Sequence, residues 1–308
     1  MASIAYIADK KMIEFHRLNG NHTMNFWRLS SQRKFSRFFN GDYLFFLAKG
    51  TERTDTREKG IIGYGKLEYT KTMTLTQMWK EYDQLNGFST KNEFKEAVQK
   101  IAKTKSIPKS MHSLYLKEII FFEYPIYLSE IGITISNSLE SYTYLDRYGV
   151  SATVKLLKEA EKVGIDSWQV ALDEDINQGI FELDLKSHII SDYVNHAFYQ
   201  QKAPNKILKN FLELKKSENF EYIKGSKNAV LNQQNEELYI GFETTERKKE
   251  ENFFAMLGRI YSIQWNISMT KDVDINNYKI TIVTEYRLDH EQLGLLKTLN
   301  VSVIFIDV

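Results

Sequence analysis

The sequence predicts an α+β protein with a β-rich N-terminal part, a helical connector and an α/β C-terminal part. Three observations carry this. Residues 40–69 and 113–128 hold apolar, strand-like runs punctuated by turn residues. Residues 151–216 keep apolar positions at helical spacing. Beyond residue 216, β-branched and aromatic runs alternate with helical stretches, as they do in an α/β layer. At 308 residues and 43% apolar composition, the chain can bury more than one core.

The elements follow in order. GDYLFFLAKG (41–50) is a strand opened by a turn, TERTDTREK is a charged loop, and GIIGYGKLEY (60–69) is a second strand. Gly60, Gly63 and Gly65 inside that strand mark a bend or a close approach. TLTQMWKEYDQLNG (74–87) is a helix with Leu75, Met78, Trp79 and Tyr82 on one face, closed by Asn86-Gly87. Thr90 and Glu93 form a capping box that starts a helix holding Phe94, Ala97, Val98 and Ile101. Strands return in SLYLKEIIFFEYPIYL (113–128), with Pro125 at an edge or end, and the segment closes on SYTYLDRYG. VKLLKEAEKVG, SWQVALDEDINQG and SHIISDYVNHAFYQQ are helical, with Gly164 and Gly179 as terminators. NAVLN, ELYIGFETT, KITIVTE and VSVIFIDV read as strands. Between them, EENFFAMLGRIYSIQW is a helix placing Phe253, Phe254, Leu257, Ile260, Tyr261 and Gln264 on one side, and HEQLGLLKTLN is another. The expected domains are 1–150, 151–216 and 217–308.

Charge is uneven. Residues 1–110 carry 20 Lys+Arg against 11 Asp+Glu, and residues 111–308 carry 21 against 29. A basic N-terminal third points to a polyanion partner or to solvated lysine-rich faces, and charge alone leaves both open. The absence of cysteine excludes disulfides, thiolate metal sites and cysteine nucleophiles. No apolar run reaches the roughly 20 residues of a spanning helix, and the N-terminus lacks a secretory pattern, so a cytoplasmic location and no membrane partner are expected. The histidines contain no H-x-x-x-H or H-E-x-x-H, and neither a P-loop, a Rossmann fingerprint nor a G-x-S-x-G elbow occurs.

One stretch mixes cations with rings. In NFWRLSSQRKFSRFF (25–39), read as loop-like at its start, Trp27 is followed by Arg28, Ser30 and Ser31, then by Arg33, Lys34 and Arg37 among Phe35, Phe38 and Phe39. Interleaved cations and aromatics suit a surface that grips phosphates and stacks bases. Packing readings stand beside this: Trp27 serves a pocket or a core equally well, and the three phenylalanines fall at helical core spacing.

The ordered string Gly41-Asp42, Phe45-Phe46, Gly63-Tyr64-Gly65, Trp79, Tyr82, Asn86-Gly87 and Glu93-Phe94, closing on SYTYLD, resembles the PUA-like, EVE-related domains found beside HNH nucleases in restriction endonucleases. It departs from the pattern at Gln77-Met78 and at Ile62. The resemblance covers residues 20–148 and implies a small, strongly curved β-barrel with covering helices that holds a flipped, often modified base. On that footing Trp27, Ser30, Ser31, Tyr64 and Trp79 are the expected base pocket. Arg28, Arg33, Lys34 and Arg37 are the expected nucleic-acid backbone contacts.

After residue 216 the order of elements resembles the PD-(D/E)xK nuclease superfamily, whose acids hold Mg²⁺. Asn228, Gly241 and Glu243 stand where that motif has its first acid, its glutamate and its lysine. A shifted register offers Glu246-Arg247-Lys248, so Glu243, Glu246 and Lys248 are the expected catalytic residues. Glu243 and Glu246 are then the expected Mg²⁺ ligands, with Glu182 or Asp184 as a third acid. The favoured expectation is a restriction-type, phage-defence protein that binds base-modified double-stranded DNA as a homodimer, with a Mg²⁺-dependent endonuclease or an inactive assembly domain at its C-terminus. The alternative is a non-enzymatic RNA- or modified-nucleotide-binding module that dimerises through its C-terminal domain.

Overall fold

In the first half of the chain, β1 (Ile4–Ala8), α1 (Lys10–Leu18), β2 (Met24–Leu29), β3 (Tyr43–Ala48), β4 (Ile61–Met73), α2 (Leu75–Tyr82), α3 (Lys91–Ala102), β5 (Met111–Ile126), β6 (Tyr142–Tyr144), α4 (Ser151–Val163) and α5 (Ser167–Leu172) follow one another in a computed structural model. The structure describes residues 3–29, 35–103, 106–136, 138–148, 151–173, 175–198, 205–215, 220–223, 226, 228–232, 236–271, 273–275 and 277–306. It divides into two units, Ala2–Glu182 and Leu183–Val308, with the division inside α6 (Ile180–Ala197). No helix among the described residues is long and apolar enough to cross a membrane.

The first unit is built on a six-stranded sheet ordered β2-β5-β4-β3-β1-β6. Its pairs are antiparallel except β1 with β3. Bending is written into β4, whose pairing with β5 shifts register at three places. At Gly63 (φ +157°) an added Cβ would sit 2.3 Å from the Ile120 carbonyl oxygen, so only glycine lets the strands approach this closely. The sheet curls until Tyr6 on β1 and Phe26 on β2, far apart in strand order, meet edge to face at 4.9 Å. The inner side of the curl is a core that includes Leu44, Phe46, Leu67, Leu116 and Phe121.

Local chemistry sets the helix starts. Asp9 accepts from the Lys11 amide (2.9 Å) to begin α1, and reciprocal capping boxes, Thr74 with Gln77 and Thr90 with Glu93, begin α2 and α3. Gly164 ends α4 at φ +86°, and β5 then bonds the following turn through Glu123 N to Gly164 O (3.1 Å) and Asp166 N to Phe121 O (2.9 Å). The Gln169 carboxamide on α5 accepts from Phe121 N (2.9 Å) and donates to Ile119 O (2.7 Å). These bonds place α4 and α5 in the first unit beside β5, whereas helical spacing alone groups them with a connector.

The second unit contains α7 (Lys206–Leu214), β7 (Glu221–Tyr222), β8 (Ala229–Asn232), β9 (Glu237–Phe242), α8 (Lys249–Met269), β10 (Lys279–Thr284), α9 (His290–Thr298) and β11 (Val301–Phe305). Its five-stranded sheet is ordered β11-β10-β9-β8-β7. The pairs β7–β8 and β8–β9 are antiparallel, and β9–β10 and β10–β11 are parallel, so α8 and α9 are crossover helices. Ile207, Leu208 and Phe211 of α7 pack on Val230, Tyr239 and Val283 of the sheet.

Several expectations change. Trp27 lies in strand β2 rather than a loop, because all six residues Met24–Leu29 are buried and paired with β5. Residues 35–39 are not helical, and Phe39 is exposed while Phe38 is buried. Helix α5 stops at Leu172, so Gly179 precedes α6 instead of ending a helix. In α8, Phe253 and Ile260 are buried with Met256, Ile263 and Ile267, while Phe254 and Tyr261 face solvent.

His16 of α1 is fully buried, and its Nδ1 lies 3.0 Å from the Asn21 carboxamide nitrogen, which donates to it. Burial lowers its pKa from 6.5 to about 3. The neutral ring is therefore the folded form, and its share of stability is complete above pH 6.5 and is lost as pH falls toward 3. Between pH 7 and about 4.5 this share amounts to roughly 2–3 kcal/mol. Urea unfolding at both pH values should show that loss in the wild type and a smaller one in His16→Leu.

Candidate functional site

A curled open sheet leaves two edge strands, here β2 and β6, and the seam between them is where the candidate site forms. Arg28 on β2 is 3% exposed, and its guanidinium carbon lies 4.5 Å from the Phe35 ring centroid, 5.7 Å from Tyr142 on β6 and 5.8 Å from Tyr6 on β1. Tyr6 and Tyr142 stack at 5.9 Å, and Phe35 meets Tyr142 edge to face at 4.7 Å. A desolvated guanidinium against a π face gains about 2 kcal/mol or more, which offsets part of the cost of burying the charge. The Tyr6 hydroxyl is pushed up to about 12 by burial, with the Arg28 charge acting in the opposite direction.

Beside this cage the chain is pinned by Tyr144, whose hydroxyl accepts from the Ser36 amide (2.9 Å) and the Arg37 amide (3.1 Å). Cavities open on both flanks of Arg28. One, of about 120 Å³, is lined by Tyr6, Trp27, Arg28, Asp9, Lys49 and Glu140 among others. The other, of about 290 Å³, lies between Arg28, Phe35, Phe38 and the strand ends at Lys71, Thr72 and His112. Trp27 also borders a groove of about 430 Å³ between α1 and α3, where Phe15, Phe88 and Lys100 stand. The walls thus carry aromatic faces, cations and the four carboxylates of Asp9, Glu93, Glu96 and Glu140.

Trp27 is held by a buried polar relay. Its Nε1 donates to Asn86 O (3.2 Å), and its ring meets Phe94 at 5.2 Å. Asn25 donates to Asn86 Oδ1 (2.7 Å), Ser113 donates to Asn25 Oδ1 (2.6 Å), and Asn86 Nδ2 donates to Asp83 O (2.7 Å). Asn25, Asn86 and Ser113 have no solvent exposure. Gly87, at φ +87°, lies where a Cβ would stand 2.4 Å from Met12 Cγ, so the turn after Asn86 can close on α1 only without a side chain.

The structure brings together Trp27 and Arg28 of the expected residues. Arg28 is a buried floor residue, not a surface phosphate contact, because the curl of β2 turns it into the ring cage. Arg37 is exposed beside the seam. Tyr64 is fully buried against Tyr43, Phe45 and Phe122, on the other side of the sheet's strands from the cage. Trp79 packs on Phe94 at 6.1 Å and lines none of these cavities. Ser30, Ser31, Arg33 and Lys34 lie outside the described residues. Tyr6, Phe35, Tyr142 and Asn86 were missed as site residues; the apolar run IAYIA with its lone tyrosine hydroxyl was the available signal for Tyr6.

In the second unit Glu243 and Glu246 are exposed on the stretch after β9, and Lys248 ends a short 3-10 turn. Glu243 accepts from the Lys206 amide at 3.4 Å. At Gly241 the space for a side chain is filled by the Asn205 carboxamide, which lies within 2.5 Å of an added Cβ and donates to Gly241 O (2.8 Å). Asn228 is buried and bonds Gly241 N through its carbonyl (2.9 Å). Among the described residues no group of three or more His, Cys, Asp or Glu side chains gathers where a metal ion could be held.

No family model matches the sequence, and no curated protein does. The solved structure of ASCH from Zymomonas mobilis is similar at 14% identity and a TM-score of 0.37, covering 51% of this chain and 94% of that one. A tyrosine-to-phenylalanine mutant of that protein gives 15% identity and a TM-score of 0.36, covering 51% and 96%.

Asn86→Ala removes the hub of the relay and leaves the Asn25 carboxamide short of its acceptor, while the Trp27 indole keeps the main-chain carbonyl of position 86. Its expected cost is about 2–4 kcal/mol in urea unfolding, with a change in near-ultraviolet circular dichroism because the turn that carries this carbonyl loses its side-chain anchors to Met78 O and Asp83 O.

Proposed function

We propose that the first unit is a nucleic-acid-reading module of the PUA-like kind that takes one base into the cavity beside Arg28. The observation that carries the reading is a guanidinium fixed by three rings at the floor of a cavity whose wall is Trp27. A base turned out of its stack needs a π face and directional donors at its edge. Trp27 supplies the first, and the planar guanidinium supplies donors whose orientation the cage holds before the base arrives. Exposed cations near the openings, Arg37 and Lys49, suit the flanking phosphates. The basic charge of residues 1–110 adds long-range attraction.

The finer reading is duplex DNA carrying a modified base, as in restriction of foreign DNA. The second unit then follows the strand and helix order of a PD-(D/E)xK nuclease without its chemistry. The residues present do not fit Mg²⁺: Asn205 fills the place of the metal-binding glutamate side chain, and Asn228 is an amide where an acid belongs. Glu243, Glu246 and Lys248 stand exposed without a converging third acid among the described residues. On this reading the second unit is a platform rather than a cutting domain.

Fluorescence anisotropy with unmodified, methylated, hydroxymethylated and glucosylated duplexes, and with single-stranded RNA of the same sequence, tests the first unit. Arg28→Leu, with folding checked by circular dichroism, should abolish discrimination among bases. Arg37→Glu should weaken all duplexes alike and reduce the salt slope by about 1. Preference for RNA moves the reading to RNA, and discrimination unchanged in Arg28→Leu overturns the assignment of the pocket.

Modified plasmid incubated with the protein and Mg²⁺ or Mn²⁺ should stay intact. Metal-dependent cleavage, absent from a Glu243→Gln/Glu246→Gln control, would restore the nuclease reading.

A further inference from the structure

Helix α8 has two apolar faces. Phe253, Met256, Ile260, Ile263 and Ile267 form the buried one. On the other side Phe254, Tyr261, Trp265 and Met269 are 58, 57, 56 and 56% exposed. From Asn252 to Met269 the helix holds one charged residue, Arg259, whose guanidinium carbon lies 5.3 Å from the Phe198 ring centroid. The solvent side of a globular helix is ordinarily charged, and a contiguous exposed apolar stripe marks a contact surface. In the middle of this stripe sits Gly258, where an added Cβ would meet nothing within 4 Å. Glycine is the poorest helix former after proline. Among the described residues, nothing packed around it requires its small size.

The geometry points to antiparallel pairing of α8 with α8 of a second copy of this chain. Phe254, Gly258, Tyr261 and Trp265 are spaced by four, three and four residues, the seam spacing of paired helices. About a two-fold axis passing between positions 259 and 260, the stripe is complementary to itself. Phe254 then faces the partner's Trp265, and Gly258 faces the partner's Tyr261. The small residue receives the large ring at the centre and lets the helix axes approach. A two-fold interface needs a surface that fits its own copy, and this pattern does. A second copy is favoured over a charged partner because the stripe offers no charge to match. A face five turns long, with Ala255 and Leu257 at its margins, covers roughly 600–800 Å² per copy, the lower part of the range for specific interfaces.

Sedimentation velocity of the full chain over roughly 1–100 µM should show a concentration-dependent dimer, the regime of a modest interface. Trp265→Glu and Tyr261→Glu, both at exposed positions, should weaken association at least tenfold while circular dichroism stays unchanged. Gly258→Ala should raise the thermal midpoint of the dilute monomer through helix propensity and still weaken the dimer, a combination that a purely structural role would not produce. The chain has no cysteine, so introduced ones report the orientation. Phe254→Cys mixed with Trp265→Cys should cross-link, whereas either alone should not, because identical positions lie about 16 Å apart along the antiparallel pair. A monomer throughout the range overturns the proposal. So does a dimer indifferent to Trp265→Glu, or self-cross-linking of Phe254→Cys as efficient as that of the mixture.

Discussion

The first unit depends on how a curled sheet closes where, among the described residues, its two end strands are not paired with each other. Strands β2 and β6 are the two edges of the sheet order. The gap between them is spanned by side chains: Arg28 against Tyr6, Phe35 and Tyr142. Exposed strand edges invite pairing with other chains. A caged guanidinium covers this one while leaving room on both flanks, which backbone pairing would have sealed. The cavities of about 120 and 290 Å³ beside Arg28 are therefore consequences of the mode of closure. The cavities and the open line of the sheet coincide here, so the rest of the unit holds the seam.

Two arrangements do this. Tyr144 grips consecutive amides at Ser36 and Arg37 from the β6 side. From the β2 side, the Asn25–Asn86–Ser113 relay ties the edge strand to the turn after α2 and orients Trp27. Each polar group in that relay is buried, so removing one partner strands the others. Gly87 makes the relay possible by letting the turn settle on Met12 and His16. Position 87 thus acts on the pocket although it carries no side chain.

The second unit shows the reverse situation, a sheet end whose expected chemistry is replaced by packing. Asn205 caps α7 through Leu208 N (3.0 Å) and at the same time bonds Gly241 O (2.8 Å). One carboxamide fastens helix to strand at the place where the nuclease pattern would carry charge. The apolar outer face of α8 lies in this same unit.

Much of the fold was legible in the sequence. The glycines of 60–65 marked a bend in β4, the Thr90–Glu93 box fixed the start of α3, and the alternation after residue 216 marked the succession of strands and crossover helices. These are local signals, set by backbone sterics, capping and periodicity. The site was legible only in part. Trp27 and Arg28 stood out as an aromatic beside a cation, but one residue of register along β2 decides which of them lines the wall and which the floor. Tyr6 and Tyr142 converge on Arg28 from distant positions, and the sequence marks Tyr6 only by a lone hydroxyl in an apolar run and Phe35 only as one ring among cations. Likewise, periodicity showed that α8 is apolar without showing that it is apolar on two sides, because burial is assigned by neighbours. Composition and spacing determined the elements and the basic character of the N-terminal third. Curvature, the meeting of two sheet edges and the filling of one strand end by Asn205 were decided by tertiary structure, because they depend on which distant surfaces are pressed together.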